Sequence, residues 1–114
     1  MINKTILVGR LSKEVLFKQS KEGNVSATFT VAVSRNSEVA DFIPCVAFGK
    51  TAELINNRDF KKGNMIAVEG HMQSGKYEKN GETRYTLECV VDKFVDPTPK
   101  SKTTPENDED VFTI

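Results

Sequence analysis

An all-β barrel carrying one short helix is the fold class that this sequence predicts, and three observations point to it. Most apolar residues fall in short runs that alternate with period two. Only one stretch, Thr51–Asn57, reads as helical. The dipeptide Asn80-Gly81 marks a two-residue hairpin between two of the runs, because both central positions of such a turn favour positive φ. With 114 residues the chain is sized for a single domain with one core.

The elements follow in order. Lys4–Leu11 (KTILVGRL) is a β-branched run expected to bend near Gly9. Val15–Gln19 is a short continuation, and Lys21-Glu22-Gly23-Asn24 is a turn by composition. In Val25–Ser34, residues Val25, Ala27, Phe29, Val31 and Val33 share one face, and Ser26, Thr28, Thr30 and Ser34 the other. Phe29 is therefore expected in the core. A polar loop, Arg35–Ala40, leads to a third strand, Phe42–Phe48, in which Pro44 lacks a ladder donor and should lie at an edge or bulge. After the helix, Arg58–Asn64 is a basic turn and Met65–Met72 a strand. The Asn80-Gly81 hairpin falls within Lys76–Thr83, and Tyr85–Val95 is the last strand. Tyr85 alternates with Leu87, Cys89 and Val91, which predicts a core position.

Five main strands with a helix between the third and fourth leave too few helical segments for a bundle or a βαβ sheet. They fit a five-stranded Greek-key barrel of the oligonucleotide/oligosaccharide-binding (OB) type, which binds ligands on its strand 2–3 face and on the loops joining strands 1–2 and 4–5. The predicted domain covers residues 1–97. Residues 98–114, rich in Lys, Ser, Thr, Pro and acids, are expected to form a disordered linker and acidic tail.

The net charge of zero conceals a split: residues 1–100 carry fifteen Lys/Arg against twelve Asp/Glu, and residues 101–114 carry Lys102 against four acids. A mildly basic body with an acidic tail suits contact with a polyanion or a tail-borne contact. Cys45 and Cys89 match no zinc spacing, and His71 is the only histidine, so buried reduced thiols are expected and no metal or cofactor is. No nucleotide-binding glycine loop, H-E-x-x-H or nucleophile–base pair is visible, so no enzymatic activity is expected. No apolar run reaches the ~20 residues of a membrane span, and the strand-like start leaves no room for an export signal, so a cytoplasmic location is expected.

Binding features are better supplied. Phe42, Pro44, Val46 and Phe48 project from one face of an extended strand, with Lys50 directly after it. Lys76-Tyr77 and Arg84 flank the predicted hairpin, Lys61 and Lys62 sit in the basic turn, and Lys18 follows Phe17 in the first loop. Bases stack on aromatic rings without regard to sequence, and phosphates between them need cations at intervals. Phe42, Phe48 and Tyr77 are thus candidate stacking residues, with Lys18, Lys50, Lys62, Lys76 and Arg84 as candidate phosphate contacts. Buried, the same phenylalanines would simply be core.

Five segments occur in an order that resembles the bacterial and bacteriophage single-stranded DNA-binding protein family. They are K-x-I-L-V-G-x-L at Lys4–Leu11, T-x-A-V-S at Thr30–Ser34, V-A-F-G-K-T-A-E at Val46–Glu53, K-K-G at Lys61–Gly63 and V-E-G at Val68–Gly70. The resemblance, over about residues 1–96, implies an OB fold, usually a homotetramer with a dimer as the alternative, that coats single-stranded DNA in replication, recombination and repair. It implies that Phe42, Phe48 and Tyr77 stack on bases and that Lys18, Lys50, Lys62 and Lys76 contact phosphates. It also implies that the acidic tail, here Asp108, Glu109, Asp110, Phe112 and Ile114, recruits replication and recombination proteins.

The departures are specific. The chain has no Trp, where the family often stacks with one, and Gln73 and Gly75 stand where arginines are common. Val111-Phe112-Thr113-Ile114 replaces the family's Pro-Phe end, and with the short linker it favours a phage-encoded version over a chromosomal one. Two alternatives share the fold: an OB adaptor in a replication or primosome assembly that binds DNA weakly, and an RNA-binding module.

Overall fold

Alternating β-branched runs too short to bury both faces must close on one another, and here they do so as a barrel. The computed structural model describes residues 1–97, so the expected linker and acidic tail lie outside the described residues. Its elements are β1 (Thr5–Leu11), β2 (Leu16–Gln19), β3 (Val25–Ser34), β4 (Ala40–Phe48), α1 (Gly49–Arg58), β5 (Met65–Lys79) and β6 (Glu82–Val95). The sheet order is β1-β5-β6-β4-β3-β2, and β1 also pairs with β3, which closes a ring of five strands and leaves β2 as a short flap on β3. With α1 between β4 and β5, this is the OB architecture.

Closure depends on two glycines. At Gly9, β1 passes from β5 to β3 rather than ending, and a Cβ there would lie 2.4 Å from the carbonyl oxygen of Ala32. At Gly70, beside the register shift between β5 and β6, a Cβ would lie 1.9 Å from the carbonyl oxygen of Val90. Both approaches are to backbone, which cannot swing aside as a side chain can.

The core consists of the inward residues of β3, β4, β5 and β6, with Leu11, Val31, Ile55, Ile66, Val68 and Cys89 almost completely buried. Phe29 lies among them, as its face predicts. Helix α1 buries Ala52 and Ile55 against the sheet. Sequestering one such isoleucine contributes about 2 kcal/mol. The helix ends at Asp59, whose left-handed φ of 54° turns the chain toward Phe60, packed edge-to-face on Phe94 with ring centroids 5.9 Å apart.

Two expectations are modified. Pro44 sits inside β4, opposite Thr30, but β6 pairs with β4 only at Cys45 and Val46, so the flank beside the proline carries no strand partner. The last two strands are also longer than their apolar runs. β5 and β6 extend as a two-stranded arm to Asn80 and Gly81, whose φ values of 54° and 80° are those the hairpin dipeptide predicts. Tyr85 lies on this arm and is 78% exposed, not in the core: the side it shares with Cys89 has no barrel left to face.

Replacing Gly70 by Ala is expected to lower stability by about 3 kcal/mol, the upper end of ordinary overpacking. Gly75→Ala, whose Cβ would meet only the Thr86 hydroxyl at 3.0 Å on the exposed arm, should change the urea midpoint little. Equal losses in the two variants would contradict the close β5–β6 crossing.

Candidate nucleic-acid interface

Strand alternation sorts the candidate residues into faces. In β4, Cys45 and Ala47 point into the core, so Phe42, Pro44, Val46 and Phe48 point out. Phe42 is 62% exposed and Phe48 57%, while Val46 is covered. Register then places their neighbours. Phe48 lies opposite Ser26, and Ser26 opposite Lys18, so Lys18, Ser26 and Phe48 form one row across β2, β3 and β4. Lys18 is thus held on a strand rather than in a loop. Phe42 lies opposite Ala32 and Pro44 opposite Thr30. The small and hydroxylated outward residues of β3 keep the surface low between the rings. The two phenylalanines are six positions apart, which corresponds to about 20 Å along the strand.

The face continues onto the arm. Val46 is opposite Val90, and Val90 is opposite His71. Counting outward by twos from this row leads to the pairs Gln73/Glu88, Gly75/Thr86 and Tyr77/Arg84. Tyr77, half exposed, and Arg84 therefore share the outer side with Phe42 and Phe48, although Arg84 also pairs with Glu82 at 3.1 Å. The opposite side of the arm carries Lys76 across from Tyr85, with Leu87 next along the strand. Lys76 and Tyr77 are adjacent in sequence but belong to different surfaces.

Lys50 lies in the first turn of α1, beside Phe48. Together with Glu53 and the β2–β3 turn at Gly23 and Asn24, these residues line an open depression of about 590 Å³. No side chain caps the start of α1 and no acid lies in its first turn, so its free N–H groups add positive potential beside Lys50. Lys62 lies in the turn that precedes β5. Its turn is fastened to the end of β1, with Gly63 N–H donating to the Leu11 carbonyl at 2.8 Å and Lys62 N–H to the Glu14 carboxylate at 3.2 Å. The candidate tail residues Asp108, Glu109, Asp110, Phe112 and Ile114 lie outside the described residues.

The loop leading into the Phe42 strand is tied locally. Asn36 Oδ1 accepts from the N–H groups of Glu38 and Val39 at 2.8 and 2.9 Å. Arg35 pairs with Asp41, and its hydrogen bond holds the Asp41 carboxyl below the usual carboxylate range. That pair's contribution is complete above the ordinary carboxylate range and fades as the pH falls through the lowered value. Sequence reading missed His71 as a member of the outward face; its register partner Val90 was visible only once β4 and β6 were paired. His71 Nδ1 lies 3.3 Å from the Asp92 carboxylate. Among the described residues, no cluster of His, Cys, Asp and Glu could hold a metal ion, and no helix is long and apolar enough to cross a membrane.

Comparison with known proteins identifies the family. The model of the single-strand binding protein family matches residues 2–96. The chain belongs to that family. It is 38% identical to a single-stranded DNA-binding protein of Staphylococcus epidermidis, with 96% of this chain and 88% of that protein aligned. It is 40% identical to a single-stranded DNA-binding protein 1 of Streptococcus pyogenes, over 82% of this chain and 77% of that protein. With a single-stranded DNA-binding protein of Clostridium perfringens it shares 42% identity over 82% of this chain and 64% of that protein.

Because both phenylalanine rings are more than half exposed, Phe42→Ala and Phe48→Ala should each shift unfolding stability by less than about 1 kcal/mol. Chemical denaturation checks this. A loss of ~3 kcal/mol or more, the cost of emptying a core site, would contradict the outward assignment.

Proposed function

We propose that this protein binds single-stranded DNA without catalysing a reaction, laying the strand along the outer face of β2, β3 and β4 and onto the outer side of the arm. The observation that carries the reading is the single face shared by Phe42, Phe48, Tyr77, Lys18 and Arg84, with Lys50 at its end. Exposed rings on a pleated surface are costly to leave in water unless something flat covers them, and a base does so at about 1–3 kcal/mol each. The names of its relatives, all single-stranded DNA-binding proteins, support the same choice.

In this reading Lys18 and Lys50 meet the phosphates nearest Phe48, and Arg84 those nearest Tyr77. Lys76 lies on the other side of the arm, and in this reading it and Lys62, in the turn before β5, meet only a strand that wraps beyond the β2–β4 face. The protein coats DNA exposed in replication, recombination and repair within the cytoplasm, and the tail residues Asp108, Glu109, Asp110, Phe112 and Ile114 recruit partner proteins. Assembly into a homotetramer, or a dimer, is supported by Ile6 and Val8, which face outward on β1 at 64% and 50% exposure.

Fluorescence anisotropy with labelled oligo-dT across a salt series tests the reading. Binding should fall steeply with salt, and Phe48→Ala should weaken it by about 1–3 kcal/mol. With an oligonucleotide of about eight nucleotides, within the span of one OB fold, Lys18→Ala should flatten the log–log salt slope by ~0.7, the share of one phosphate on a single strand. Lys62→Ala should alter the slope only with longer strands. Affinity that ignores salt, or that favours duplex, would overturn the proposal and leave the weak-binding adaptor.

A further inference from the structure

Cys45 and Cys89 take no part in the proposed interface. Both face the core, at 2% and 0% exposure, and both are free thiols. They stand directly opposite each other where β4 and β6 run parallel. Strands paired in a sheet lie about 4.8 Å apart, within the range of Cα separations that disulfides span. Cys45 Sγ donates to the Ile43 carbonyl at 3.5 Å.

We propose that Cys45 and Cys89 form a latent intramolecular disulfide site, converted by a small disulfide oxidant of the glutathione class when the β4–β6 seam opens. One cysteine thiolate attacks a sulfur of the oxidant, whose S–S bond breaks to release one reduced thiol and leave a mixed disulfide on the protein. The second cysteine thiolate then attacks the protein-bound sulfur and releases the second reduced thiol. The two protein sulfurs lose two electrons to the oxidant, and their protons pass to the departing thiolates.

The seam controls the chemistry. β4 and β6 pair at two positions, whereas β3 and β4 pair at nine and β5 and β6 at thirteen. A short parallel seam is a place where the barrel can part without losing its longer ladders. In the closed barrel burial pushes the Cys45 thiol up to about 12, so the attacking thiolate is scarce. Opening admits the oxidant to one sulfur, and reclosure of the seam returns the second cysteine to its place opposite the first. Once formed, the bond ties the strand carrying Phe42 and Phe48 to the strand carrying Arg84 and restricts the open chain.

The test incubates the full chain with oxidised glutathione across a urea series below the unfolding midpoint. The expected product is a monomer lacking two hydrogens, with Cys45 and Cys89 peptides joined in its digest. Its rate of formation should climb with urea, and its unfolding midpoint should exceed that of the reduced chain until dithiothreitol reverses the change. Cys45→Val, and separately Cys89→Val, should give at most a mixed disulfide on the remaining cysteine and no gain in midpoint; either variant alone suffices if the other fails to fold. Stable glutathione adducts on both cysteines, disulfides only between chains, persistent thiols, or an oxidised chain with a lower midpoint would each overturn the proposal. Because these readouts involve no DNA, they stand apart from the fate of the binding assay.

Discussion

The antiparallel pairing of β3 with β4 is the constraint on which the rest of the structure depends. Nine consecutive residue pairs, from Ser26 opposite Phe48 to Ser34 opposite Ala40, fix which side of β4 faces the core. Because side chains alternate, a slip of one residue would drive Phe42 and Phe48 inward and turn Cys45 and Ala47 out. Phe29, Val31 and Ala27 resist that slip from β3, since the same shift would strand them in water. The core and the outward face are therefore two consequences of one register. The interface needs no separate device to expose its rings.

Much of this was legible in the residues themselves. The alternation in Val25–Ser34 and in Phe42–Phe48 identifies both strands and both of their faces, since period two is a local property. Asn80-Gly81 locates the hairpin tip for a similar reason: its positive φ values are a local requirement. What stayed hidden depends on length and on pairing between distant strands. Tyr85 follows the same alternation as Cys89, so periodicity alone assigns it to the core. Only the length of the β5–β6 arm, which runs past the end of the barrel, makes it 78% exposed. Lys18 was equally obscure, because its nearness to Phe48 runs through Ser26 and two registers. Lys76 is adjacent to Tyr77 in sequence, but strand alternation puts it on the second side of the arm.

In the proposed reading, the arm enlarges the face that the barrel offers to DNA. Its outer side extends the β4 face to Tyr77 and Arg84, while its other side presents Tyr85, Leu87 and Lys76. Acids are mixed among the cations, with Glu88 opposite Gln73 and Glu53 in the depression beside Lys50. With neutral Gln73 and Gly75 on the same outer side, this leaves aromatic contact with a larger share of the interaction than a strongly basic groove would. In the proposed reading, this face meets flat groups under a modest field.

The most direct test of this two-sided arrangement compares Tyr77→Ala with Tyr85→Ala. Both tyrosines are exposed on the same arm, and both substitutions remove the same ring. Affinity for oligo-dT, measured by anisotropy on folded protein, should fall by about 1–3 kcal/mol for Tyr77→Ala and stay nearly unchanged for Tyr85→Ala on a strand short enough for one barrel. A loss confined to Tyr85→Ala, or shared equally by the two, would place the DNA on the wrong side of the arm and contradict the account.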